Sequence, residues 1–183
     1  SGVGIYVHIY DHLSRCAPFR LDRVKTMAWA RRFYRLDEAD ALIGPYKLEE
    51  MEDYIRYEKR IALLRESSPL FRYASVNYPL EFVSEKEAFT VCIALIQKAA
   101  DEYHKHFEGP FVVLIWPTML MSQSYRDFED TLRDSDIHVF RPEFPKLDTP
   151  HTLHFRDAHP SPAMYAAVAQ QLHGYIENEV KAN

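Results

Sequence analysis

Glycine is scarce. It occurs only five times in 183 residues, where average usage of about 7% would supply roughly a dozen. Gly2, Gly4, Gly44, Gly109 and Gly174 are scattered along the chain. The glycine-rich loops that cradle dinucleotides or triphosphates need several close together, so nucleotide-fingerprint enzymes are set aside. Cysteine is scarcer still: Cys16 and Cys92 are too few for a disulfide scaffold and lack paired zinc spacing; they could form one bridge, and they read first as two ordinary thiols. A basic excess is also missing. Lysine and arginine total 22 against 27 acids, for a net charge of −5, so the phosphate-neutralising surface of a nucleic-acid binder is not expected. No apolar run approaches the roughly 20 residues of a membrane span, and no charged-then-apolar leader opens the sequence. No G-x-S-x-G elbow is present.

What is there suits one globular α/β domain. Hydrophobic residues make up 47% and charged residues 27% of the chain, ordinary values for a folded domain. Val3, Ile5, Val7 and Ile9 alternate with Tyr6, His8 and Tyr10, which predicts a strand ending at the polar pair Asp11-His12. Residues 18–84 read as a helical and irregular insertion. Within it a short helical piece is expected around Asp22 to Tyr34, and a longer helix over Lys47 to Arg65. An irregular connection, rich in proline and turn formers, is expected over 67–83. Ser84 with Glu87 is a capping-box signature for a strong helix whose apolar face carries Phe89, Cys92, Ile96, Ala100 and Tyr103. Phe111 to Trp116 is a continuous apolar run, the pattern of a strand covered on both faces. Ser124 and Asp127 suggest a cap for a helix to about Arg133, and Ile137 to Phe140 a third strand. That strand–helix–strand unit of roughly 30 residues has the length of a βαβ crossover. Ser161-Pro162 supplies an N-cap and N1 proline for a last helix striped by Met164, Val168, Leu172 and Tyr175.

Alternating strands and helices predict a three-layer α/β/α sandwich with a mainly parallel sheet. Three strands are few against the usual five or six. With the abrupt opening on a strand, this suggests an N-terminally incomplete domain that lacks its first strand or two. In such sheets ligands bind at the carboxyl ends of the strands. The first strand brings Asp11 and His12 there, the second Pro117 and Thr118, the third Arg141 and Pro142. Histidine occurs nine times, and His151, His154 and His159 crowd with Asp157 into the loop HTLHFRDAHPSP, residues 151–162. A carboxylate beside a histidine can fix the imidazole tautomer while the other ring nitrogen takes a proton from a nucleophile.

FRDAHPSPAMYAAVAQQL, residues 155–172, resembles the last block of SGNH/GDSL-type hydrolases, where an Asp and a His precede the final helix. IYVHIYDHLSR and PFVVLIWP are similar to strands of the same family, in the same order. The usual spacing is Asp-x-x-His-Pro, and Asp157-Ala-His159-Pro160 is one residue shorter. The resemblance implies a flavodoxin-like fold and a serine esterase in which Asp157 orients His159 as the general base. It implies no cofactor, and a small-molecule, carbohydrate or lipid ester as substrate. The family's Gly-Asp-Ser block does not occur in these 183 residues, so the nucleophile is expected in a missing N-terminal segment of the same protein. Where the family has an oxyanion-hole asparagine, this chain offers Asp11-His12; a neutral His12 could donate to an oxyanion, and an ionised Asp11 would oppose it.

Rival readings stay open. His151, His154, Asp157 and His159 carry metal-ligating atoms, at spacings of three, three and two that match no established motif. Cys16 could serve as a cysteine nucleophile paired with His159. A degenerate scaffold that binds a partner or carbohydrate without chemistry is the third alternative, and an aromatic content of 14% suits it.

Overall fold

The computed structural model describes residues 2–8, 12, 16–18, 32–78, 80–116, 123–135, 137–143 and 161–180. Along the chain the elements are β1 (Gly4–His8), β2 (Phe33–Leu36), β3 (Leu42–Tyr46), α1 (Glu52–Ser67), α2 (Pro69–Asn77) and α3 (Glu85–His106). They continue with β4 (Phe111–Ile115), α4 (Gln123–Arg133), β5 (His138–Phe140) and α5 (Pro162–Tyr175), which runs on into a π-helical turn, Ile176–Val180. The protein is mixed α/β and divides into two compact units. One joins Ser1–Tyr10 to Ala100–Asn183; the other is Asp11–Ala99.

The first unit is built on a parallel sheet in the order β1-β4-β5. Its register pairs Gly4 with Phe111 through His8 with Ile115, and Val112 with His138 through Leu114 with Phe140. The apolar run expected to be covered on both faces is so: all five residues of β4 are buried. Val112, Leu114 and Phe140 pack with Val168 and Val180, so one sheet face is closed by α5 and the turn after it. The same face of β1 carries Val7, paired with Leu114. It is 43% exposed, and Ile5 is 47% exposed. The residues of β1 that point inward are Tyr6 and His8. This inverts the usual apolar-in alternation, with His8 fully buried level with Ile115. Tyr103 on α3 pins the start of this unit. Its hydroxyl donates to the Gly2 carbonyl at 3.0 Å, and its ring lies 5.7 Å from Phe111. Gly109 closes the turn before β4 with φ +156°, and a Cβ there would stand 2.0 Å from the Gly2 oxygen. Only glycine fits so close an approach.

The second unit corrects two expectations. Of the helical piece expected from Asp22 to Tyr34, residues 22–31 lie outside the described residues; its last two, Phe33 and Tyr34, belong to a strand, and β2 and β3 form an antiparallel pair. Asp37 makes their turn, its carboxylate accepting from the amides of Ala39 at 2.9 Å and Ala41 at 2.8 Å. That local side-chain-to-backbone bonding outcompetes helix formation. Gly44 sits at φ +127° before a cis peptide to Pro45. The second correction is α2, a helix inside the span 67–83. Ser68 caps it, accepting from the Phe71 amide at 3.2 Å, with Pro69 at its first position. Phe33, Met51, Tyr54 and Ile61 form the core here, with Tyr57, Phe71 and Phe82 packed on it. The Ser84 cap of α3 forms as expected, with the Glu87 amide donating at 3.1 Å. In the first unit α4 spans Gln123–Arg133, which makes Ser124 a helical position. Asp127 accepts from the Gln123 side chain at 2.6 Å.

Candidate active site at the carboxyl edge of the parallel sheet

The carboxyl ends of the three parallel strands are occupied by His8, Trp116 and Arg141. His8 is fully buried. Its ring stands 4.7 Å from Phe128 and 6.3 Å from Tyr125, both on α4. Trp116 continues β4 by one residue: its amide donates to the His8 carbonyl at 2.8 Å. The Tyr125 hydroxyl approaches the Trp116 carbonyl at 3.5 Å, a long contact. The Trp116 ring is 5.8 Å from Tyr165 in the first turn of α5. That pair sets the N-terminus of α5 beside the carboxyl end of β4.

Arg141 follows β5 and bonds to Glu129 on α4. The other Glu129 oxygen accepts from Arg133 at 2.8 Å. Glu129 is thus a buried carboxylate held between two guanidinium groups, which removes the cost of an unpaired charge out of water. The Arg141 guanidinium also lies 5.7 Å from the centre of the Tyr125 ring, within cation–π range. Burial pushes the Tyr125 phenol up to about 12; Arg141 opposes that rise and Glu129 adds to it. At neutral pH Tyr125 is therefore a neutral donor.

The chain leaving β5 is tied to α5 twice. The Glu143 amide donates to the Gln171 side-chain oxygen at 2.9 Å, and the Gln171 amide group donates back to the Glu143 carbonyl at 3.0 Å. After residues 144–160 the described chain resumes at Ser161, which caps α5 by accepting from the Met164 amide at 3.2 Å. This is the N-cap and N1-proline arrangement expected from Ser161-Pro162.

Asp157 and His159 lie outside the described residues, as do His151, His154, Asp11, Pro117 and Thr118. His12 is described, half-buried, and belongs to the unit Asp11–Ala99. The side chain found at the carboxyl end of β1 is His8. In the sequence His8 reads as one of the alternating strand residues; its signal is a histidine on the polar side of an apolar strand. Arg141 falls where expected, and its partner Glu129 carries no signal of its own in the sequence. Among the described residues no group of three or more His, Cys, Asp or Glu is placed to hold a metal ion, and no helix is long and apolar enough to cross a membrane. Neither a scan against protein-family models nor searches of curated proteins and of solved structures return a match to this chain.

Proposed function

We propose that this chain carries the general-base half of a serine esterase of the SGNH type, on a flavodoxin-like α/β/α sandwich. His159 takes the proton of a serine hydroxyl, and Asp157 accepts from the other ring nitrogen and fixes the tautomer. The serine attacks an ester carbonyl, the alcohol leaves, and water then releases the acyl group from the serine. The serine is not supplied by a Gly-Asp-Ser block in these 183 residues, and Asp11 and His12 are the candidates for the oxyanion side. The substrate is a small-molecule, carbohydrate or lipid ester.

The observation that carries this reading is the Trp116–Tyr165 contact at 5.8 Å. It puts the start of α5 at the sheet edge where parallel α/β folds bind their ligands. His159 precedes the capping Ser161 by two residues, and two residues of chain reach at most about 7 Å. On this reading the imidazole acts at that edge.

The test is turnover of p-nitrophenyl acetate by the full-length protein, its His159→Ala and its Asp157→Asn variants. Loss of kcat by at least about a thousand-fold in the histidine variant is expected, because triad members act as a unit. Unchanged turnover in that variant removes His159 from the chemistry. A second reading, a binding module without catalysis, is favoured by the lack of a Gly-Asp-Ser block in the chain. It predicts no turnover by the native protein at all, together with quenching of Trp116 fluorescence by an ester or glycan ligand.

A further inference from the structure

The unit Asp11–Ala99 holds a cavity of about 280 Å³ that the esterase reading leaves unused. Sites for drug-sized ligands run to about 300–1,000 Å³, so an occupant of this one is small. Leu36, Met51, Phe82 and Val91 make its apolar wall, and Met51 and Val91 are buried. Three charged side chains share the lining: Arg35 on β2, Asp53 in the first turn of α1 and Glu87 in the first turn of α3. The Arg35 guanidinium donates to Asp53 Oδ2 at 2.6 Å, and Asp53 Oδ1 accepts from the Tyr54 amide at 3.0 Å.

The strand is shaped to this cavity. Tyr34, Arg35 and Leu36 are successive residues and all three line it, whereas a regular strand turns neighbours to opposite faces. The pairing of β2 with β3 slips by one residue here: Phe33 is level with Tyr46, and Arg35 with Ile43. Bulges of this kind re-aim side chains beside binding sites. Arg35, Met51 and Asp53 also line a wider cleft of about 400 Å³, together with Tyr46 and Arg56. The ion pair therefore stands between the cavity and a more open approach to it.

We propose that this cavity binds a free amino acid with an apolar side chain. The ligand's carboxylate takes the Arg35 guanidinium in a charge-assisted pair, its ammonium is held by the carboxylates of Asp53 and Glu87, and its side chain covers the apolar wall. A simple cation would meet the Arg35 charge, and a simple anion would meet two carboxylates. A small ligand bearing both signs satisfies the whole lining. Opening the existing pair costs little: the side chains of Arg35 and Asp53 are 39% and 51% exposed, and exposed pairs contribute little to stability.

The experiment titrates the full chain with L-leucine and with L-phenylalanine by isothermal titration calorimetry. Beside them run 4-methylpentanoate, which keeps the leucine side chain and lacks the ammonium, and 3-methylbutylamine, which keeps it and lacks the carboxylate. At least one of the amino acids should bind at a single site per chain, with each leucine analogue at least about ten-fold weaker than the better amino acid. Arg35→Gln should weaken the amino acid about ten-fold or more and spare the amine, and Asp53→Asn should weaken both. Absence of heat from both amino acids up to about 10 mM overturns the proposal. So does an analogue that binds as tightly as the amino acid, or an Arg35→Gln variant with native affinity. The analogue series uses the native chain, so it decides the matter even where a variant misfolds.

Discussion

Removing the Glu129 carboxylate isolates the electrostatics of the sheet edge. The side chain is 11% exposed, and its partners differ: Arg141 is 26% exposed and Arg133 48%. Arg133 sits one helical turn away, and a half-exposed i,i+4 pair contributes about 0.3–0.5 kcal/mol. Arg141 reaches Glu129 from another element in drier surroundings, and a charge-assisted bond of that kind contributes about 1.5–2 kcal/mol. Adding lost packing of the carboxylate stem, Glu129→Ala should destabilise its unit by about 2–3 kcal/mol, lowering Tm by about 5–10 °C for a chain of this size. Thermal unfolding followed by Trp116 fluorescence in a Trp29→Phe background reports on this unit alone. Double-mutant cycles apportion the effect. The Glu129/Arg141 coupling should exceed about 1 kcal/mol and persist in salt, and the Glu129/Arg133 coupling should be under about 0.5 kcal/mol and fade as salt screens the exposed arm. A total loss below about 0.5 kcal/mol, or a larger coupling to Arg133 than to Arg141, would refute the reasoning.

Alkaline pH should weaken the protein through its buried phenols. Tyr54, raised by burial and then by Glu58, and Tyr125 both titrate at about 12 in the fold against about 10 when unfolded. A raised folded pKa means that their contribution is intact below pH 10 and is lost as pH climbs from 10 through 12, by at most about 3 kcal/mol each. Tm measured across that range, with Tyr125→Phe flattening part of the decline, checks the sign. At the cap of α2, Ser68→Ala should cost about 1 kcal/mol in chemical denaturation. The neighbouring Ser67→Ala removes only an exposed hydroxyl bonded back to the Leu63 carbonyl and should change little.

Sequence made the sheet readable where one physical requirement dominated. Burial on both faces left β4 no option but a continuous apolar run, and the β4–α4–β5 crossover has the length that a parallel pairing demands. The caps at Ser84 and Ser161 were equally plain, since each satisfies helix amides with local groups. The Ser68-Pro69 pair carries the same signal as Ser161-Pro162, yet the proline-rich composition of 67–83 masked it. The β2–β3 pair was illegible because Asp37-Glu-Ala-Asp40 has helical propensity, and only the Asp37 side chain bonding two amides turns it into a tight reversal. At the site, Arg141 was placed by strand-end logic alone. Its union with Glu129, twelve residues back, is tertiary and has no local trace. The Asp157–His159 assignment rests on resemblance and local spacing.

The Gln171 side chain treats Glu143 as a neighbouring strand would, answering both its backbone donor and its acceptor. One carboxamide thereby ends β5 mechanically: whatever the chain does between residues 144 and 160 is anchored at Glu143 on one side and at the Ser161 cap on the other.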